Sequence, residues 1–297
     1  MKVRVLVVVF LLCSAIFSYA ENTKIAQTGA AYLRTGFGSR PAALGEAYTG
    51  VSGDINSLFW NPAGISYLNE VQFAFGHNEF IQGLRYENIA VAFPFYDGGI
   101  GFAFTYMSFG DLERRDDTGV FNGNFKPYAF VGQLTYAKNI FKNFSLGINA
   151  KIPYERIDTD SKFGLAFDGG ILLKLAIEGL SYGVSVNNIG PSFAGSKLPL
   201  IAKTGFGYTQ GQFNFVLDLS VPRDIQPNLN FGCEYKLMQI FSLRGGYKYK
   251  FSGNDLGTIS GITGGIGFEL NKFNLDYSFK TYQDLGNSHI VSLIVKM

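Results

Sequence analysis

Through most of the chain after residue 70, apolar and polar residues alternate one by one, in runs of about ten residues separated by turn formers. Between Lys272 and Gln283, Phe273, Leu275, Tyr277 and Phe279 alternate with Asn274, Asp276, Ser278 and Lys280. The pattern returns in Phe144, Leu146, Ile148, Ala150 and Ile152 against Ser145, Gly147, Asn149 and Lys151. Neighbouring side chains on a strand point to opposite faces, so each run is a strand with one apolar and one polar face. This reading places strands at roughly 70–78, 84–95, 98–109, 127–138, 143–155, 163–175, 180–189, 199–209, 212–221, 228–237, 240–251, 260–270, 272–282 and 288–297. An even count of about fourteen suits a closed antiparallel barrel whose two ends lie on one side of a membrane.

Alternation alone does not say what the apolar face meets, since a soluble β-sandwich would bury it in a core. Composition argues for lipid. Charged residues make up 16 % of the chain, against roughly a quarter in soluble domains, while aromatics reach 16 %. The polar face instead carries about one charge per strand in an otherwise Gly-, Ser-, Asn- and Thr-rich setting that suits a crowded lumen. Lys151, Asp168, Lys174, Lys203, Asp218, Glu234, Arg244, Lys248, Glu269, Asp276 and Lys280 all fall there, and their mixed signs predict ion pairs across the lumen. After residue 20 no apolar stretch approaches the ~20 residues of a membrane-spanning helix, so lipid has to be met by strands.

The connections alternate in length, as they do in barrels with tight turns on one side and longer loops on the other. Tyr96-Asp97-Gly98, Asn139–Lys142, Ala176–Gly179, Gln210-Gly211, Met238-Gln239 and Asn271 are short. Gly110–Lys126, Arg156–Lys162, Gly190–Leu198, Pro222–Pro227, Ser252–Ile259 and Gln283–Asn287 are long and read as plain loops. Phe93, Phe95, Phe141, Phe144, Tyr154, Tyr208, Phe241 and Tyr282 lie near strand ends, where aromatic girdles form at the two membrane interfaces.

The first 69 residues behave differently. Lys2 and Arg4 precede an apolar run from Val5 to about Phe17, and Ser18-Tyr19-Ala20 supplies small residues for a signal peptidase, so residues 1–20 read as a secretion signal. Removing Lys2 and Arg4 from 25 Lys plus Arg leaves 23, equal to the 23 Asp plus Glu, so the mature chain is formally neutral. It has no basic face for nucleic acid. With Cys13 in the signal, Cys233 stands alone and no internal disulfide can form. Residues 21–69 do not alternate. Ala42–Tyr48 reads as a short helix with Pro41 in its first turn, and Asp54–Phe59 as a second with Asp54 as N-cap. Asn61-Pro62-Ala63-Gly64 then breaks the helix and turns the chain toward the first strand. The segment is too short for a core of its own. A barrel of about fourteen strands leaves a lumen, so the segment either plugs it or lies outside as a tail.

The stretch Gly36–Gly50 (GFGSRPAALGEAYTG), followed by Asp54 and by Phe59-Trp60-Asn61-Pro62-Ala63-Gly64-Ile65, resembles the N-terminus of PorV/PorQ-type outer-membrane proteins. These belong to the wider FadL long-chain fatty-acid transporter superfamily. The resemblance implies an all-β fold, a transmembrane antiparallel barrel of about fourteen strands (70–297) with a small helical hatch (21–69). It implies that Asn61, Pro62, Ala63 and Gly64 belong to the hatch; the charges of Arg40 and Asp54 within the same segment make them candidate anchors to lumenal charges. FadL relatives pass apolar ligands when the hatch moves, whereas PorV-like members are accessory proteins of type IX secretion. The expected function is therefore a passive outer-membrane channel for small hydrophobic solutes. The alternative is a secretion accessory whose partners are secreted or secretion-machinery proteins. This chain is shorter than typical members of either group, with small external loops.

Little else in the sequence offers chemistry. Gly36-x-Gly38 is no nucleotide loop, because neither a preceding strand nor a following Gly-Lys-Ser/Thr accompanies it. His77 and His289, the two histidines, form no cluster with metal spacing. Asn287, Ser288 and His289 contain hydrolase residue types, but adjacent strand residues face opposite ways. No enzymatic activity and no cofactor are expected.

Overall fold

The computed structural model describes residues 27–251 and 260–297. The proposed secretion signal and the connection 252–259 lie outside the described residues. The strands are β1 Gln72–Glu79, β2 Arg85–Phe95, β3 Gly98–Ser108, β4 Leu112–Arg115, β5 Phe121–Phe125, β6 Tyr128–Phe141, β7 Phe144–Ile157, β8 Asp160–Phe163, β9 Ala166–Lys174, β10 Leu180–Ile189, β11 Ile201–Gln210, β12 Phe213–Pro222, β13 Asn228–Leu237, β14 Phe241–Lys250, β15 Ile262–Leu270, β16 Phe273–Thr281 and β17 Asn287–Lys296. All but β4, β5 and β8 form a closed fourteen-stranded antiparallel barrel, in which β1 pairs with both β2 and β17. Closure leaves no edge, so every strand within the ring has a neighbour for its backbone groups on both sides.

Closure decides between lipid face and core. Ile148 is 62 % exposed on the outer wall, and Leu243 and Leu275 are exposed likewise. Ser145, Asn149 and Asp168 are buried on the inner wall. A greasy exterior around a polar interior is the inverse of a soluble sandwich and matches a wall that faces hydrocarbon.

Two expected plain loops carry strands. Gly110–Lys126 holds the β4–β5 hairpin, whose turn is tied by Asp116, with Oδ1 accepting from the backbone of Thr118 and Val120 at 2.9 Å each. Arg156–Lys162 holds the end of β7, which folds back as β8. The β4–β5 hairpin forms a separate two-stranded sheet and β8 is a four-residue addition to the end of β7, and both are too short to show the alternation that marks the other strands. Phe95, Phe141 and Phe241 stand exposed near the short-turn end, as a girdle requires. Tyr282 does not join them. It follows Lys280 on the inward parity of β16 and packs inside the mouth against Phe80, ring centroids 5.3 Å apart.

Residues 27–69 occupy the lumen from the long-loop end to the short-turn end. They contain a 3-10 turn at Ala31–Arg34, helix α1 at Ser39–Ala43, helix α2 at Ser57–Trp60 and a 3-10 helix at Pro62–Tyr67. The first α-helix is earlier and shorter than the sequence suggested, because Gly45 and Glu46 adopt φ of +68° and +67° and end it. Asp54 precedes rather than caps α2: Asn56 is the N-cap residue, and Asp54 Oδ1 accepts from the Asn56 N–H at 2.7 Å. Asn61, with φ −148°, interrupts the helical path, but Pro62 starts the 3-10 helix at once instead of leading straight into β1.

The plug is held by two kinds of wall. Phe37, Ile55, Leu58, Ile65 and Leu68 pack on Ala74, Ala90, Ala92, Ala103 and Ala137 of β1, β2, β3 and β6. Each fully buried large side chain stabilises the docked plug by about 1.5–3 kcal/mol. Away from this apolar sector, β11 to β16 present most of the lumenal charges, and Lys151 of β7 pairs with Asp168 of β9 at 2.7 Å.

Candidate functional site: the plug and its latches

α1 is the partition of the lumen. Ala42 lines a cavity of about 580 Å³ that opens toward the long loops, together with Glu46, Trp60, Phe80, Lys248 and Lys280. Arg40, two residues earlier, lines cavities of about 420 and 180 Å³ toward the short turns.

Arg40 forms the inner latch. Its Nε and Nη2 donate to Glu234 Oε2 and Oε1 at 2.9 and 2.8 Å, a bidentate pair between plug and wall. Its Nη1 donates to Asp54 Oδ2 at 2.8 Å and to the Tyr48 hydroxyl at 2.9 Å. Glu234 is fully buried and also accepts from Arg244 Nε at 2.6 Å, while Arg244 Nη1 reaches Asp276 at 2.5 Å. The expected anchor at Arg40 thus meets a wall charge. Asp54 does not; it braces Arg40 and Tyr48 from within the plug.

Glu46, which sequence reasoning did not single out, forms the outer latch. Its two oxygens accept from Lys248 Nζ at 2.6 Å and Lys280 Nζ at 2.5 Å. Burial by itself would raise the Glu46 pKa, but the two ammonium groups outweigh it and hold the carboxyl well below the usual range. The available signal was one of two plug carboxylates, Glu46 and Asp54, inside a wall with basic inward positions. Nothing in the local sequence could say which lysines would meet it.

Asn61 crosses from plug to wall: Nδ2 donates to the Thr49 carbonyl at 2.7 Å and to the Ile171 carbonyl of β9 at 3.0 Å, and Oδ1 accepts from Ala63 N at 3.2 Å. Pro62, Ala63 and Gly64 are buried beside it. The wall meets this turn with glycine. A Cβ on Gly147 would lie 2.3 Å from Ala63 N, and one on Gly170 2.1 Å from Asn61 Oδ1. Wall side chains complete the docking. Gln133 and Asn149 donate to the Leu58 carbonyl at 2.7 and 2.9 Å, and Asp218 Oδ2 accepts from Tyr48 N, Thr49 N and Thr49 Oγ1 at 2.8, 2.8 and 2.6 Å. At the outer mouth, Arg34 pairs with Asp224, which also accepts from Thr28 Oγ1 at 2.6 Å.

Ser288 and His289 part as strand geometry requires. The Ser288 hydroxyl donates inward to Asn78 Oδ1 at 2.7 Å, while His289 Nδ1 lies 2.8 Å from the Tyr277 hydroxyl on the outer face.

No protein-family model matches the chain, and no curated protein matches it. Solved structures do. The toluene transporter TodX of Pseudomonas putida aligns over 88% of this chain and 97% of that chain at 12% identity, with a TM-score of 0.63. The CymD monoaromatic hydrocarbon channel aligns over 88% and 96% at 11% identity, TM-score 0.57. A FadL homologue of Pseudomonas aeruginosa aligns over 87% and 97% at 11% identity, TM-score 0.55. This chain therefore has the fold of the FadL-type barrels, over nearly the whole length of each.

Proposed function

We propose that the protein is an outer-membrane channel for small hydrophobic solutes, closed at rest by residues 27–69. The observation that carries this reading is the partition by α1, with a cavity on either side and polar latches at Arg40 and Glu46 instead of a continuous greasy core. A permanent plug could be held by apolar packing alone; ion pairs can exchange partners with water as the segment shifts. Transport is passive diffusion, with no covalent step. The likeness to TodX, a toluene transporter, and to CymD, a monoaromatic hydrocarbon channel, suggests the same solute class here. In this reading residues 1–20 direct secretion and are removed, and the outer wall contacts lipid. Uptake of radiolabelled toluene into liposomes holding the full-length protein tests it. Uptake no faster than in protein-free liposomes would refute it.

A second reading, an accessory role in protein secretion, is favoured by a different feature. The hairpins β4–β5 and β7–β8 expose Val120, Phe121, Ile157 and Phe163 at the loop end, a surface that could grip partner proteins. The narrower likeness to PorV/PorQ rests on the N-terminal motif alone. Co-purification of secretion-machinery proteins from native membranes, lost when 112–125 is deleted, would support it; their loss from neither sample nor control would not.

A further inference from the structure

A smaller cavity of about 50 Å³ lies between plug and wall, with Thr35, Gly36 and Phe59 of the plug on its lining and Lys151, Asn187 and Lys203 of β7, β10 and β11 among the wall residues. A cavity of about 150 Å³ is the size that takes benzene, so this one is too small for an aromatic solute and has room for a few waters or one monatomic ion. Its lining carries three cations, Arg34, Lys151 and Lys203, and among the described residues no carboxylate. Arg34 pairs with Asp224, and Lys151 Nζ reaches Asp168 Oδ2 at 2.7 Å and Asn188 Oδ1 at 3.1 Å. Lys203 has no such partner. It is only 9 % exposed, yet among the described residues its ammonium makes no hydrogen bond and no ion pair; its one close contact is the face of Trp60, 4.6 Å from Nζ to the ring centroid. Asp218 stands one inward rung away, opposite Gly205, but turns Oδ2 to Tyr48 N and Thr49 N of the plug. A buried ammonium is costly unless opposite charge or lone pairs meet it, and a ring face supplies only part of that. Asn187 adds a spare donor beside it: Oδ1 accepts from Ser185 Oγ at 3.1 Å, which leaves Nδ2 to the cavity.

We infer that this cavity binds one small inorganic anion of about chloride's size, held by the Lys203 ammonium and the Asn187 amide. The anion is the counter-charge of Lys203. Because Thr35 and Gly36 close the cavity from the plug side, anion binding and plug docking stabilise each other. Such an ion is a fastener of the closed state and not a passenger, so the inference is independent of what the barrel carries.

Trp60 is the chain's one tryptophan and is 3 % exposed, and a heavy halide held at Lys203 lies within quenching range of its ring. The full-length protein in detergent micelles is titrated with sodium iodide, with sodium gluconate keeping the ionic strength constant. Quenching should saturate, and sodium chloride, which does not quench, should compete with iodide and restore the emission. Lys203→Met, checked for folding by heat-modifiable gel mobility, should weaken iodide binding by about tenfold or more, the value of one charge-assisted contact. Linear quenching in wild type, saturation that chloride fails to reverse, or equal saturation in a folded Lys203→Met protein, as iodide at Lys248 and Lys280 would give, each overturns the inference. Asn187→Ala keeps every charge and gives a second variant, in which weakened iodide binding supports the site and unchanged binding overturns it. In wild type, exchange of chloride for gluconate should speed proteolysis within 27–69, and equal rates would overturn the coupling to the plug. None of these readouts involves toluene flux, so failure here and failure of the channel reading remain separate.

Discussion

Arg40→Met keeps the aliphatic stem of the inner latch and removes its guanidinium. The substitution cuts two bonds to Glu234, at 2.9 and 2.8 Å, one to Asp54 at 2.8 Å and one to the Tyr48 hydroxyl at 2.9 Å. Glu234 is fully buried, so loss of its partner cannot be made good by bulk water. It does retain Arg244 at 2.6 Å and Asn214 at 2.6 Å, and Asp54 retains Tyr48. The cost therefore falls at the lower end for a broken buried pair, about 3 kcal/mol in favour of the undocked plug. At roughly 1.4 kcal/mol per factor of ten, the open fraction should rise on the order of a hundredfold. Single-channel recording in planar bilayers reads this directly as open probability, with heat-modifiable gel mobility confirming that the barrel has folded. Pairing the change with Glu234→Gln makes a double-mutant cycle, in which the two effects should be far from additive. An open probability equal to wild type in a folded Arg40→Met barrel, or simple additivity in the cycle, would refute the assignment of this pair as a latch.

Glu46 predicts a pH response with a definite sign. Its docked pKa is depressed by Lys248 and Lys280, so its contribution is complete above the ordinary carboxylate range and is lost as pH falls below that range toward the depressed value. Open probability should therefore be flat from about pH 7 to 5 and rise only in stronger acid, with Glu46→Gln removing its share of that rise. Gly183→Ala should dislodge the plug near Thr49, because the new Cβ would sit 1.9 Å from the Thr49 carbonyl oxygen. The expected signature is new protease sensitivity within 27–69 while the barrel stays intact, and unchanged protection would contradict the packing described. On the outer wall, Ile148→Lys places a charge on a residue 62 % exposed to the surroundings of the barrel. Refolding into lipid vesicles should become less favourable by roughly 2–4 kcal/mol if that face lies mid-membrane, whereas a neutral effect would move it to water.

Much of the barrel was legible in the chain because period-two alternation is a local property: Phe273 to Lys280 declare their faces without reference to any other strand. Short turns were legible for the same reason. The β4–β5 and β7–β8 hairpins were not, since β4, β5 and β8 have only four or five residues each, too few for alternation to stand out. Tyr282 was misplaced because an aromatic near a strand end says nothing of its inward or outward parity unless the count is carried on from Lys280. The alanine sector facing Phe37 and Leu58 was equally hidden, since alanine on an inward position looks like any small lumenal residue until the plug packs on it.

By itself, then, the sequence determined an apolar and a polar face on each strand, an even strand count, and a non-alternating segment that needs a host. Those features depend on neighbours within a few residues, and backbone geometry transmits them directly. Tertiary structure alone decided that Arg40 meets Glu234, 194 positions away, and that Glu46 meets Lys248 and Lys280, 202 and 234 positions away. Such pairings depend on the curvature and register of a closed sheet. No local pattern encodes which inward side chains will face one another across a lumen once the first and last strands have joined.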